Sequence, residues 1–220
     1  FLLFRQKLGK AGRTISANIR YSFSNNDLDG FNSSITNVYS GADDAEPIVN
    51  QRFDQNSKST SLTGRVVYTE PLAKNLFLEA NYSYSWNRNN SVKNTFDSAS
   101  DNVVDGLLQY VSNGETLNDI YSNNILNISH NHRAGMNLSY QLKKFRAQLG
   151  ASVNPTNTYN KTNEKEYNNQ VVNWSPQAML FYTPNETVNL RMFYFGRSSQ
   201  PSTSQLMPVP DNSDPLNISL

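Results

Sequence analysis

The sequence contains no cysteine. This absence excludes a disulfide framework, a thiolate metal site and a cysteine nucleophile, because each of them needs the side-chain sulfur. A chain without cysteine is compatible with an envelope protein.

Long apolar runs are also missing. No segment approaches the roughly 18 uncharged apolar residues that a membrane-spanning helix needs, and the mean hydropathy is −0.62. The sequence starts Phe1-Leu-Leu-Phe, with neither an initiator Met nor a charged segment ahead of an apolar stretch. We therefore expect that it starts inside a longer protein, without a signal peptide. A β-barrel stays open as a fold, because barrel strands alternate apolar and polar residues.

The sequence has no excess of charge of either sign, since its net charge is only +1. No stripe of Lys and Arg interleaved with aromatic residues is present, so we predict no nucleic-acid partner. The Gly-x-Ser-x-Gly elbow, the phosphate-binding P-loop and the His-Glu-x-x-His motif are absent too. We accordingly expect a protein that is not an enzyme and that carries no cofactor.

Alternation of apolar and polar residues is the main feature that the sequence does contain. It runs over residues 14–24, 76–88, 132–142 and 145–153, and a period of two is typical of a strand with two different faces. Soluble strands average five or six residues, whereas a tilted strand that crosses a membrane needs roughly 9 to 11. These segments therefore have the length of membrane-spanning strands.

Connections of alternating length support the same interpretation. Weaker alternation over residues 1–8, 61–69, 172–182 and 187–195 brings the total to about eight strands. Short links at 9–13, 70–75, 143–144 and 183–186 alternate with long ones at 25–59, 87–129, 155–170 and from 197 onward. Outer-membrane barrels have short periplasmic turns and long extracellular loops. The sequence thus predicts an all-β fold, an antiparallel up-and-down transmembrane β-barrel segment of about eight strands with long extracellular loops.

Two histidines, His130 and His132, are the candidates for a metal site. In a strand they share one face with Ala134 and Met136, which favours an outward position at the membrane interface. No carboxylate lies near enough in sequence to complete a site, so we predict no bound metal. The acidic stretch at residues 27–30 lacks the remaining positions of a calcium loop and is predicted to be a turn.

The C-terminal stretch carries the most specific pattern, in which a strand leads into an Arg-Ser-rich segment and then into QL-P-V-D-SDPL-I. The residues of this pattern are Arg197, Ser198, Pro201, Gln205, Leu206, Pro208, Val209, Asp211, Ser213, Asp214, Pro215, Leu216 and Ile218. The stretch resembles the barrel region of TonB-dependent receptors and receptor-like outer-membrane proteins of the Bacteroidota. The resemblance is close over residues 193–220 and loose over the rest of the chain.

This resemblance implies a barrel of about 22 strands around a plugged lumen. In such proteins an N-terminal plug is energised through TonB from the inner membrane. We expect residues 1–220 to form part of the outer-membrane barrel domain, with the plug domain and the remaining strands outside them. The implied partners are outer-membrane lipid, the rest of the barrel, the plug, the TonB complex acting through that plug, and an unknown ligand. The implied location is the cell outer membrane, and the implied function is uptake of a nutrient at the cell surface.

Two alternatives to this function stay open. One is a receptor-like barrel used for adhesion or surface assembly. The other is a self-contained small barrel of eight strands, which requires the first and last strands to pair with each other. Siderophores, glycans, peptides and cobalamin are all carried by receptors of the resembled family, and the sequence selects none of them.

The polar face of the strands supplies the candidate site. If the alternation holds, eight polar or charged side chains face the lumen: Asn18, Arg20, Arg65, Glu79, Asn81, Arg133, Asn137 and Arg191. In a water-filled channel they would set selectivity, and in a plugged receptor they would hold the plug by salt bridges and hydrogen bonds. We favour plug-holding or solvated lining over direct contact with the substrate.

Overall fold

The computed structural model of the protein describes residues 1–35, 48–163 and 165–196. In these ranges the regular structure is β-strand throughout, and no helix there is long and apolar enough to span a membrane. The strands are β1 (Leu2–Lys7), β2 (Thr14–Ile35), β3 (Ile48–Ala73), β4 (Leu76–Asp97), β5 (Asn102–Val104), β6 (Leu107–Gln109), β7 (Thr116–Leu117), β8 (Asn123–Gln141), β9 (Phe145–Lys161), β10 (Glu166–Asn185) and β11 (Val188–Phe195).

Eight of these strands form one antiparallel sheet in the order β1-β2-β3-β4-β8-β9-β10-β11. Consecutive long strands are neighbours, as in an up-and-down barrel, and this confirms the predicted fold class. The short strand β7 adds to β4, and β5 and β6 pair in a separate two-stranded sheet. Within the described residues β1 and β11 each have one paired side, so the sheet is an open wall.

The pairing register is continuous over long distances. β2 and β3 pair from Thr14↔Thr69 to Ile35↔Ile48 without a shift, and β9 and β10 pair from Glu166↔Lys161 to Tyr182↔Phe145. Because side chains alternate between the faces with a period of two, this register assigns every residue of the long strands to one face.

One face of the sheet is apolar through its middle, and we call it the outer face. A single lateral row across six strands reads Ala17, Val66, Tyr82, Ala134, Val153 and Trp174. Many large apolar side chains of this face are exposed, including Met136 at 56%, Leu149 at 62% and Trp174 at 70%. An apolar surface of this extent marks a region that contacts lipid or another protein.

The strands continue further than the alternation predicted at the ends where long loops were expected. β2 reaches Ile35, β3 starts at Ile48 and β4 reaches Asp97, and the predicted turn at residues 27–30 lies inside β2. Between β9 and β10 the amide of Thr162 donates to the carbonyl of Lys165 at 2.8 Å, which closes a tight turn. The predicted loop extents of 25–59, 87–129 and 155–170 were therefore wrong.

The physical reason is that polar residues occupy most positions on both faces of these strand extensions, and their apolar residues, such as Leu28 and Phe31, follow no regular alternation. The apolar pattern therefore disappears while backbone pairing continues. Cross-strand pairs such as Ser57–Ser91, with hydroxyl oxygens 2.9 Å apart, line the extensions. Pairs of this kind stabilise a sheet without apolar burial. Residues 36–47, and the pattern at residues 197–218 that carried the resemblance, lie outside the described residues.

The short links were predicted correctly in position. The β1–β2 connection is a tight turn in which the amide of Leu8 donates to the carbonyl of Arg13 at 3.0 Å. Gly12 has a φ of 87° in this turn, a left-handed conformation that glycine adopts at little steric cost. The four predicted short turns lie at one end of the sheet, which we call the short-turn rim, whereas the tight turn between β9 and β10 lies at the other end.

Candidate functional site

A recess of about 290 Å³ lies on the polar face of the sheet, opposite the outer face. Five of the eight predicted site residues line it, namely Arg65, Glu79, Asn81, Arg133 and Asn137. The remaining lining comes from residues on β4, β8, β9 and β10: Ser83, Gly135, Gln148, Ala151, Ser152 and Gln177. The recess therefore gathers side chains from five strands that are far apart in sequence.

Strand register places the two arginines of the recess on one lateral line. Arg65 pairs with Ser83, and Ser83 pairs with Arg133. Two strand spacings separate the arginine backbones, which corresponds to roughly 10 Å. The small Ser83 between them leaves room for both guanidinium groups to reach the same ligand.

A chain of hydrogen bonds holds the acidic side of the recess. The side-chain amide of Asn137 donates to Oε1 of Glu79 at 3.1 Å, and the amide of Gln177 donates to Oδ1 of Asn137. Asn137 is only 7% exposed, so its amide is committed to these two partners. This chain fixes the Glu79 carboxylate against the wall rather than leaving it free in the recess.

Glycines form the part of the wall on which the asparagine amides lie. A Cβ added to Gly150 would be 2.0 Å from Oδ1 of Asn137 and 2.8 Å from the carbonyl oxygen of Met136. A Cβ on Gly135 would be 3.1 Å from Oδ1 of Asn81. Neither glycine has a positive φ, so close approach of a side chain is the reason for glycine at both positions.

The recess contains polar groups without a partner in the protein. Within residues 1–35, 48–163 and 165–196, no carboxylate lies at ion-pair distance from Arg65 or Arg133. The hydroxyl of Ser152, a residue only 5% exposed, is buried there without a hydrogen-bond partner. Since Glu79 contributes the single negative charge among the lining residues, the recess carries a formal charge of +1 and suits an anionic group.

The other three predicted residues do not line this recess. Asn18 pairs with Arg65 across β2 and β3 and is its direct neighbour. Arg20 lies over the ring of Phe1, 5.6 Å from the ring centroid. Arg191 bonds Oδ1 of Asn189 through its Nε at 3.1 Å, on the edge strand β11.

Sequence reasoning missed Ser83, Gln148, Ser152 and Gln177 as members of the site. Each occupies a polar-face position on its strand, and that parity is the signal that could have found them. Their neutral side chains did not distinguish them from the other Ser, Asn and Gln residues of the strands.

The two histidines lie on the outer face, as the alternation predicted. Nδ1 of His132 is 2.8 Å from the hydroxyl of Tyr82, and Nδ1 of His130 is 2.8 Å from that of Tyr84. Neighbouring strands thus pair each imidazole with a phenol. No group of three or more His, Asp or Glu suited to a metal occurs in the described part of the chain.

A cluster of ions at the short-turn rim joins the β1–β2 turn to β3. The carboxylate of Glu70 accepts hydrogen bonds from Nε and Nη2 of Arg13 at 2.7 and 2.8 Å. The Tyr68 hydroxyl donates to the same carboxylate at 2.6 Å, and Nζ of Lys10 lies 3.5 Å from it. Both basic side chains of this turn therefore have the Glu70 carboxylate within ion-pair distance.

The structure is an open antiparallel sheet with one apolar and one polar face. A comparison of the sequence with known families agrees with this architecture. The model of the outer membrane protein beta-barrel family matches residues 6–220. The chain belongs to this family. Its location is the outer membrane, and in barrels of this kind the short turns face the periplasm and the opposite ends face the cell exterior.

A comparison with solved structures gives a similar fold within a longer chain. The structure is similar to that of P. aeruginosa FpvA bound to heterologous pyoverdines, solved as an iron complex, with a TM-score of 0.55 and 13% sequence identity. The match covers 86% of this chain and 25% of that chain. At this identity the likeness concerns the fold alone, and the chain spans about a quarter of that neighbour's length. No curated protein sequence matches the chain.

Proposed function

We propose that residues 1–220 form part of the barrel of a TonB-dependent receptor that takes up a nutrient at the cell surface, without enzymatic chemistry. The resemblance of residues 193–220 to Bacteroidota proteins supports the same assignment. The observation that carries the proposal is the open sheet of eight strands, six of which are long enough to cross a membrane. Its edges β1 and β11 lie at opposite ends of the strand order.

Open edges require further strands, because an unpaired backbone amide or carbonyl in lipid costs several kcal/mol. A self-contained barrel of eight strands would need β1 and β11 to pair with each other, and in the described structure they do not. Additional strands would close a wider barrel, and a barrel of about 22 strands leaves a lumen that a plug can fill. This argument favours the receptor over the small barrel.

In this receptor the polar face lines the lumen, and the recess between Arg65 and Arg133 holds the plug. The two unpaired guanidinium groups and the unpartnered hydroxyl of Ser152 suit a carboxylate side chain of the plug. Charge-assisted hydrogen bonds of this type contribute about 1.5–3 kcal/mol each. Asn18, Arg20 and Arg191 belong to the solvated lining around the recess.

The first test concerns the parent polypeptide. Sequencing the DNA on both sides of the coding region should reveal a plug domain with a TonB box before Phe1 and further strands around this segment. Deletion of that TonB box should then abolish uptake while surface expression persists. A parent without a plug would contradict the receptor, and uptake-independent cell adhesion would favour the receptor-like barrel instead.

The second test concerns the recess. In the full-length protein, R65E/R133E should release the plug, because the reversed charges repel an acidic partner, and cells should become more sensitive to large hydrophilic antibiotics. R20E/R191E makes the same change in charge on the same face outside the recess and is the matched control. Equal antibiotic sensitivity of both double variants at equal expression would contradict plug-holding by the recess.

A further inference from the structure

The outer face ends towards the cell exterior in a row of large side chains. Tyr21, Leu62, Trp86 and His130 pair in register across β2, β3, β4 and β8. Aromatic residues of this kind lie at the boundary between hydrocarbon and headgroups in outer-membrane barrels. This row, which we call the upper aromatic row, therefore marks the outer-leaflet interface.

Two cationic side chains follow directly beyond this row on the same face. Arg88 is two residues after Trp86 on β4, and Lys58 is four residues before Leu62 on β3. At about 3.3 Å per residue, their backbones lie roughly 7 and 13 Å beyond the upper aromatic row. Because barrel strands tilt by about 45°, these distances correspond to depths of roughly 5 and 9 Å, and the headgroup region is about 5–7 Å thick on each side of the hydrocarbon core. Arg88 therefore lies at headgroup level, and the long stem of Lys58 allows its ammonium group to reach back to that level.

Register brings the two cations together. Thr60 pairs with Arg88 and Lys58 pairs with Asn90, so Lys58 and Arg88 are diagonal neighbours on adjacent strands. Diagonal neighbours are roughly 7–8 Å apart, within reach of one another for long side chains. A single phosphate group can therefore contact both.

The pair has no internal counter-ion in the described structure. Both residues are exposed, and within the described ranges no carboxylate lies at ion-pair distance from either of them. The nearby Asp27 carboxylate accepts hydrogen bonds from the amides of Asn25 and Asn56 instead. At the short-turn rim, by contrast, Lys10 and Arg13 both lie within ion-pair distance of the Glu70 carboxylate.

We propose that Lys58 and Arg88 bind a phosphate group of a phosphorylated lipid in the outer leaflet, the acyl chains of which pack on the outer face below Trp86. The guanidinium group offers paired donors to phosphate, and the lysine stem extends along the surface while its ammonium group reaches the headgroup. Charge complementarity and continuity with the lipid-facing surface support this ligand over a soluble partner. The site depends on the outer-membrane location alone, so it stands apart from the receptor function.

The test uses the full-length protein in detergent and lipid A carrying both phosphates as the probe. The wild-type protein should bind this lipid, and K58Q/R88Q should bind it about tenfold more weakly, the change that corresponds to about 1.4 kcal/mol. K143Q/K144Q removes the same two charges at the short-turn rim and should leave the affinity unchanged. Lipid A from which the phosphates have been removed should bind the wild-type protein as weakly as intact lipid A binds K58Q/R88Q.

Several results would overturn the proposal. Equal affinity of the wild-type protein and folded K58Q/R88Q, or equal binding of phosphorylated and dephosphorylated lipid, excludes the site. Inorganic phosphate that binds as tightly as the lipid would assign the pair to free anions instead. Heat-modifiable gel mobility shows whether K58Q/R88Q folds. If it does not, a competition experiment on the wild-type protein replaces it: glucosamine phosphate should displace bound lipid A, and unphosphorylated glucosamine should not. Equal displacement by both compounds would exclude the site.

Discussion

Asn137 lies in the middle of the recess because Gly150 on the adjacent strand leaves room for its amide. The side chain is 7% exposed and links Glu79 to Gln177. A buried amide with both of its ends in use is sensitive to any displacement, since a donor or acceptor that loses its partner keeps the cost of desolvation. The conformation of this part of the wall therefore depends on a residue without a side chain.

G150A should destabilise the protein. The new Cβ would meet Oδ1 of Asn137 at 2.0 Å and a backbone oxygen at 2.8 Å, so the amide must leave its partners. Overpacking of this kind typically costs about 1–3 kcal/mol. G64A is the matched control, because nothing lies within 4 Å of its added Cβ, and its effect should stay within about 0.5 kcal/mol. Urea unfolding in lipid vesicles measures both, and equal midpoints would refute this account.

At the scale of elements, the segment of residues 98–122 is fastened to the exterior end of the sheet. Arg52 on β3 contacts both carboxylate oxygens of Glu115 at 2.7 and 3.3 Å, and its guanidinium group lies 4.5 Å from the ring centroid of Phe96. The Tyr110 hydroxyl donates to the same carboxylate. β7 continues from this contact, with Phe96 paired to Leu117.

Acid should release this segment. The hydrogen bond from Arg52, followed by that from Tyr110, holds the pKa of Glu115 below its ordinary value. A carboxyl with a lowered pKa in the folded state adds stability above its unfolded pKa of about 4.3, and this stability is lost as the pH falls through the lowered value. Hydrogen exchange of the Asn118 amide, which donates to the Thr95 carbonyl at 2.7 Å, should accelerate below that range after correction for the intrinsic rate.

E115Q should accelerate the same exchange at neutral pH, because the neutral amide pairs more weakly with Arg52. E166Q supplies the control. It removes a charge from the Lys161–Glu166 pair, whose side chains are 52% and 56% exposed, and exposed pairs contribute little. Unchanged protection of Asn118 in E115Q would show that the segment is held by other contacts.

The strand extensions show where sequence patterning stops being informative. The alternation in residues 14–24 predicted the membrane-facing half of β2, and the strand indeed begins at Thr14. Beyond that half, both faces carry Ser, Asn and Asp, a composition that also suits loops. Residues 25–35 were predicted to be a loop, because their backbone pairing with β3 does not depend on an apolar pattern in β2 and is therefore not visible in its sequence.

At the scale of the whole molecule, one face of the sheet is suited to lipid and the other to water. The outer face is apolar between the short-turn rim and the upper aromatic row, and the polar face carries the recess. M136R places a charge on the outer face near the middle of the apolar region, where Met136 pairs with Ala80 and Ala151. Such a substitution costs about 2–4 kcal/mol at the bilayer midplane.

N124R is the depth control for this prediction. Asn124 lies on the same face and strand beyond the upper aromatic row, where an arginine should cost about 0–1 kcal/mol. Folding in vesicles of both full-length variants gives the difference. Equal stabilities would show that the outer face does not contact the hydrocarbon.

The sequence by itself determined the class of fold, the two faces of the central strand segments and the positions of the turns at the short-turn rim. These features follow from a period of two and from turn-forming residues, which are local properties of the chain. It also placed Arg65, Glu79, Asn81, Arg133 and Asn137 on the polar face.

Tertiary structure alone decided which of these residues meet. Arg65 on β3 and Arg133 on β8 share a lateral line because Ser83 pairs with both. The same pairing brings Gln177 to Asn137 and leaves Arg191 at the edge. Register between strands depends on pairing over many residues of separation, and a shift by a single residue would move each side chain to the opposite face. For that reason the alternation predicted the polar wall, and the strand pairing built the recess.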